Sequence, residues 1–205
     1  MFELNESQIK FFKELNTANK IQDYLDSLPF NYEKEGETCY SPIQVLENKK
    51  CHCIEGAFLA GCAFLVNNKP AQIISLKIKD QSVDDDHIIT LYKENGYYGC
   101  VSKTNHNVLR FRDPVYKSVR ELVMTYFHEY FLTTTGEKTL LGYTKPINLK
   151  KFGTDWITSK ENLFDIAEKI YDTKIIEIIP KGNEKFIRQA SQVEQTAASI
   201  PEYKK

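Results

Sequence analysis

The sequence predicts a single α+β domain in which a buried central helix packs on an antiparallel sheet, with extra helices at both ends. Residues 57–66 (AFLAGCAFLV) are all apolar or small, so a helix there has no polar face and must be covered on every side. After it, Ile74, Leu76 and Ile78 alternate with Ser75, Lys77 and Lys79, the period-two signature of a half-buried strand. The pair Asn95-Gly96 then lies between two further strand-like runs, as in a tight hairpin. A chain of 205 residues with 41% apolar content can fill one sizeable core.

In order along the chain, Ser7 is expected to cap a short helix carrying Ile9, Phe12 and Leu15. A second helical piece with Ile21, Tyr24, Leu25 and Leu28 stops at Pro29. A polar stretch with Gly36 follows, and Ser41-Pro42 supplies the cap and first position of a helix through Leu46. The loop Asn48-Lys49-Lys50 delivers the chain to Cys51-His52-Cys53, where the buried helix begins. Its Gly56 and Gly61 are each about 1 kcal/mol less favourable than Ala in a helix, which points to a close approach of another element. Strands are expected at 72–79, 87–93 and 97–102.

Asp113-Pro114 reads as the start of an amphipathic helix with Val115, Val119, Leu122, Val123, Tyr126, Phe127 and Tyr130 at helical spacing. Residues 138–149 are weakly strand-like. Thr158-x-x-Glu161 has the form of a capping box for a helix with Leu163, Ile166, Ala167 and Ile170. A last strand at 174–179 ends at Pro180. The domain is thus drawn as 1–180, with its core at about 21–131, followed by a polar tail, 181–205, where only Phe186, Ala190 and Val193 keep helical spacing and a loose terminal helix or disorder is expected.

Lys and Arg number 27 against 28 Asp and Glu, a net charge of −1, so no global field draws nucleic acid or anionic lipid. The N-terminus MFELNESQIKFF lacks a basic segment followed by an apolar one, and no run reaches the ~18 apolar residues of a membrane span. A soluble, cytoplasmic protein with neither membrane nor nucleic-acid partners is expected. Five cysteines, at 39, 51, 53, 62 and 100, form an odd set that such a compartment keeps reduced. Thiol chemistry or packing is therefore favoured over a disulfide framework.

A catalytic cysteine needs a depressed pKa and a nearby base, and the first turn of a helix supplies the former through the macrodipole and its free N–H groups. Cys53 stands where that turn begins, with Lys49, Lys50 and His52 adding positive potential. His87 opens a strand in the sheet expected to pack on this helix, and is the candidate base. Zinc binding by Cys51, His52, Cys53 and His87 is disfavoured because a single residue between the two cysteines is short for a zinc pair; no metal or cofactor is expected. Asp84-Asp85-Asp86 reads as solvated loop charge, His128 as a packing or surface histidine, and the other four cysteines as packing or loop thiols.

The run Cys53-Ile54-Glu55-Gly56-Ala57 is similar to the Cys-x-x-x-Ala signature of the transglutaminase-like superfamily, whose core is a papain-like cysteine-proteinase fold. The order of a helical region, cysteine helix, histidine strand and hairpin agrees over about residues 21–102, and the chain resembles a bacterial branch more than a eukaryotic crosslinking enzyme. The resemblance implies acyl transfer or amide hydrolysis through a Cys53 thioester, with His87 as base. The family's aspartate position falls on Ser102, while Asn105 carries an amide of the kind that orients histidine in papain-like proteases. Both remain candidates for the third member. Arg110 and Arg112, after the third strand, are candidates to bind an acidic or amide-containing substrate: a peptide, a protein or a small amide. The alternative is a catalytically silent module of the same fold that binds such a ligand without turnover.

Overall fold

The computed structural model describes residues 3–204 and has a mixed α+β architecture. The helix α1 (Glu6–Glu14) is capped by Asn5, not Ser7: the Asn5 side chain accepts from the Gln8 amide while Gln8 reaches back to the Asn5 amide. Asn5 is favoured over Ser7 because Gln8 stands three residues after it and can close the reciprocal box, whereas Ser7 is followed at that spacing by Lys10, which has no acceptor. The helix α2 (Ala18–Ser27) is capped by Thr17 and ends just before Leu28-Pro29. As the sequence indicates, Ser41 caps α3 (Pro42–Asn48), with Pro42 at its start. The chain then enters α4 (Cys53–Val66), buried from Ile54 to Val66.

The three expected strands are β1 (Gln72–Ile78), β2 (His87–Glu94) and β3 (Tyr97–Ser102). Here β1 and β2 are antiparallel with Leu76 opposite His87, and β2 and β3 are antiparallel with Ile89 opposite Ser102. The segment expected to start a helix at Asp113-Pro114 is instead β4 (Arg112–Tyr116), paired with β3. Pro114 is tolerated there because β4 is the outermost strand, where a missing N–H breaks no inner ladder. Only Val119–Met124 forms a helix, α5, capped by Ser118.

Next come β5 (Leu140–Thr144) and the short β6 (Ile147–Asn148), which pair with β1. Thr158 caps nothing: it closes a 3-10 turn at Asp155–Ile157, and α6 (Phe164–Tyr171) begins after Leu163. Finally β7 (Ile175–Glu177) pairs with β5, and α7 (Gln192–Ala198) follows. Among the described residues the sheet has seven strands in the order β4-β3-β2-β1-β5-β7, with β6 beside β1.

The sheet separates two apolar clusters, as strict alternation along its strands requires. Ile73, Ile88 and Val101 join the cluster around α4, while Ile74, Leu76, Ile89, Leu91 and Cys100 join the one containing Leu122, Val123 and Tyr126. A Cβ at Gly56 would lie 2.6 Å from the Cβ of Lys103, and one at Gly61 would lie 2.3 Å from Leu149 Cδ1. Both glycines thus mark close approaches to α4. Thr90 Oγ1 donates to the Ala57 carbonyl at 2.9 Å, fixing β2 on the second turn of α4.

The described part of the tail carries a helix, α7, and is tied to the rest of the domain. Ala190 and Ala198 are buried, His106 and Pro201 form a β-bridge, and the Tyr203 amide donates to Asn105 Oδ1 at 2.8 Å. Polar composition here reflects side chains that tie backbone to backbone rather than a solvated coil. No helix among the described residues is long and apolar enough to cross a membrane.

Candidate active site

Cys53 is the first residue of α4, so its backbone N–H lies among the first-turn amides that have no intrahelical acceptor. Its side chain is partly exposed and lines a cleft of about 960 Å³. Burial raises the thiols of Cys39 and Cys51 to about 12 and that of Cys100 to about 11, and it also raises Cys62. At Cys53 burial acts in the same direction, but the imidazoles of His52, whose Nδ1 lies 4.0 Å from the sulfur, and then of His87 outweigh it and bring the thiol down to about 6. One cysteine of the five is therefore placed to ionise near neutrality.

His87 starts β2 and is buried. Its Nε2 lies 2.8 Å from Ser102 Oγ, and Ser102 Oγ lies 2.6 Å from the Leu109 carbonyl oxygen. A carbonyl can only accept, so the single hydroxyl proton of Ser102 goes to Leu109. The Ser102 oxygen must then accept from His87 Nε2–H. When neutral, the ring keeps its lone pair on Nδ1, the nitrogen left for the thiol. Ser102 is itself held by Gln22, whose side chain accepts from the Ser102 amide at 3.0 Å and donates to its carbonyl at 2.8 Å.

Asn105 lines the cleft but its amide is spent elsewhere. Its Nδ2 donates to Tyr32 Oη and to the Tyr203 carbonyl, and its Oδ1 accepts from the Tyr203 amide. Of the two candidates for the third position, Ser102 meets His87 and Asn105 does not. The loop after Thr104 leads away from the strand end, which sequence distance alone does not reveal.

Arg110 and Arg112 are also engaged. Arg110 pairs with Glu202 at 3.0 Å, and Arg112 reaches Glu129, Thr125 and the face of Tyr126. Neither is among the residues lining the cleft, so their expected place in substrate binding is not where the structure puts them. A guanidinium close to a strand end is as well suited to tying a sheet edge as to holding a ligand. The aspartate run is similarly structural in part: Asp86 pairs with Lys77 and accepts from the Ile78 amide, Asp84 accepts from Thr139 Oγ1, and the Asp85 carbonyl accepts from Tyr130. Lys49 and Lys50 do not line the cleft.

Several site residues carry no role in the sequence reading. Glu55, in the first turn of α4, is fully buried and accepts from Thr38 Oγ1 at 2.7 Å, the His52 amide at 2.9 Å, the Tyr40 amide at 3.0 Å and Asn31 Nδ2 at 3.2 Å. The spacing His52-x-x-Glu55 was the available signal, since an acid three residues after a helix cap reaches back to the cap amide. Tyr130 and Tyr171 line the cleft, and burial raises both phenols, so they stand neutral beside the thiol. Among the described residues no group of three or more His, Cys, Asp or Glu side chains is arranged to hold a metal ion.

No family model matches the chain, and no curated protein matches it.

Proposed function

We propose that this chain is a transglutaminase-like thiol enzyme that performs acyl transfer or amide hydrolysis through a Cys53 thioester. The observation that carries the proposal is the relay Leu109 carbonyl, Ser102 hydroxyl, His87 Nε2. It fixes the imidazole tautomer whose Nδ1 can take a proton from a thiol, beside the one cysteine whose pKa is depressed.

In acylation, the Cys53 thiolate, its proton carried on His87 Nδ1, attacks the substrate carbonyl carbon. The carbonyl π pair moves to oxygen, where the amides of the first turn of α4 can receive it. Collapse of the adduct breaks the C–N bond, and the departing amine takes the proton from His87. In deacylation, His87 Nδ1 accepts a proton from water or an amine as that group attacks the thioester, and Cys53 leaves as thiolate. The product is an acid or a new amide, and the enzyme is restored. The substrate is a peptide, a protein or a small amide, admitted by the 960 Å³ cleft.

A second reading is favoured by one observation: the partner of His87 is a hydroxyl, which orients an imidazole but lends less stabilisation to an imidazolium than a carboxylate does. On that reading the chain is a binding module without turnover. Incubation with a panel of peptide anilides and esters, with intact-mass detection of an acyl adduct and of released amine, separates the two. Turnover is expected, abolished by Cys53→Ala with the fold intact and only mildly altered by Cys51→Ala. Equal loss from both substitutions, or from neither, would remove Cys53 from the mechanism.

A further inference from the structure

His52 immediately precedes the nucleophile on which the proposed function rests, and it is not needed as the base. Its ring is enclosed by acceptors. Nε2 lies 3.1 Å from the Thr38 carbonyl oxygen, 3.4 Å from Glu55 Oε1 and 3.6 Å from Glu33 Oε1. Because the carbonyl can only accept, Nε2 carries a hydrogen. The other ring nitrogen, Nδ1, faces Cys53 Sγ at 4.0 Å. With Nε2–H fixed, Nδ1 accepts the thiol hydrogen of Cys53 while the ring is neutral, and donates to the sulfur of the thiolate once the ring takes a second proton.

Glu55 supplies the reason for that charge. It is fully buried and accepts hydrogen bonds from four donors around its two oxygens, an arrangement that favours the carboxylate; against burial, the neighbouring His52 first, and then the bonds from Thr38 and the Tyr40 amide, hold it below its ordinary pKa. A cation beside a buried carboxylate offsets part of its desolvation cost. Among the described residues, His52 is the basic side chain that forms an ion pair with it.

We propose that His52, held as an imidazolium between Glu55, Glu33 and the Cys53 sulfur, is the standing counter-ion of the Cys53 thiolate. The two histidines thereby divide their roles: His52 is a positioning residue with a fixed charge, and His87 moves the proton. Burial opposes a charge on His52, but its bonds to Cys53 and Glu55 prevail and raise it to about 11. The other groups facing this end of the cleft offer no substitute. Tyr130, Tyr171, Cys39 and Cys51 are kept neutral by burial. Asp84, Asp85 and Asp86 are acids, Lys77 is taken by Asp86, and Lys103 points its ammonium at the carbonyls of Leu25 and Leu28 at the end of α2.

The test is the pH profile of iodoacetamide alkylation at Cys53, followed by peptide mass spectrometry in the wild type and in His52→Gln, Glu55→Gln and His87→Ala, each checked for folding by circular dichroism. A rise of one pKa unit lowers the thiolate fraction on the acid side about tenfold. His52→Gln is expected to slow alkylation at pH 4–5, below the wild-type midpoint, by about tenfold or more while leaving the rate at pH 10 nearly unchanged. Glu55→Gln should shift the profile the same way with His52 still present, which guards against a collapsed His52→Gln variant. His87→Ala should abolish acyl transfer yet keep most of the acid-side reactivity. If His87→Ala raises the midpoint to that of an ordinary thiol while His52→Gln leaves it unmoved, His87 is the counter-ion and the proposal fails, with the thiol-enzyme reading intact. Absence of acyl transfer from a wild type whose low midpoint depends on His52 would instead overturn the enzymatic reading and leave the counter-ion role standing.

Discussion

Cys39, Cys51, Cys62 and Cys100 are enclosed by the core, where low polarity disfavours a thiolate and raises each pKa. Cys53 differs by one feature of position, the first turn of α4, and by two imidazoles. The positional feature and His87 were readable in the sequence, because a buried helix and an alternating strand each leave a pattern. The choice between Ser102 and Asn105 was not readable, since it depends on where a loop turns. Ser102→Ala would leave His87 Nε2–H without its buried acceptor, a loss of about 1–3 kcal/mol. Acyl transfer should therefore fall by about tenfold or more, whereas Cys53 alkylation should change less because His52 remains. Asn105→Ala should leave both nearly unchanged and instead speed amide hydrogen exchange at 202–203, the segment that Asn105 holds. The reverse pattern would make Asn105 the orienting residue.

At the scale of elements, α4 and the β1-β2-β3 meander were legible because one is apolar all round and the other alternates with a period of two. The element at 112–116 was not, because Val115, Val119 and Val123 fit a helical spacing while Asp113-Pro114 also resembles a helix start. Pairing with the free edge of β3 decides it in favour of a strand, a tertiary choice that local pattern does not contain. Gly56 tests how tightly α4 is fitted. Replacing it by Ala gains up to about 1 kcal/mol of helix propensity, but the new Cβ would meet Lys103 Cβ at 2.6 Å, close to the backbone and unable to swing aside. Overpacking of this kind costs about 1–3 kcal/mol, so Gly56→Ala should lower the denaturation midpoint and shift the Cys53 turn with it. A stabilised variant would show that the approach of the loop after β3 is looser than described.

Across the whole molecule, the cleft brings together residues from nearly the full length of the chain, from Phe30 to Ala198. That is why the reading of residues 21–131 as the core captured the nucleophile and base but left out Tyr171 and the returning C-terminal segment. Polar residues near the end, such as Glu202 and Tyr203, look like a solvated tail until their partners Arg110, Asn105 and the Asp26 carbonyl are seen. The fold serves the thiol in one respect above others. It buries enough of the helix start to make the neighbouring charges effective, while keeping the sulfur at the wall of an open cleft. The most direct measurement is the rate of Cys53 alkylation in the wild-type protein between pH 4 and pH 10. A midpoint near 6 is expected, as the two imidazoles dictate; a midpoint near about 8.5, that of an unassisted thiol, would contradict the activated Cys53 on which the proposed chemistry depends.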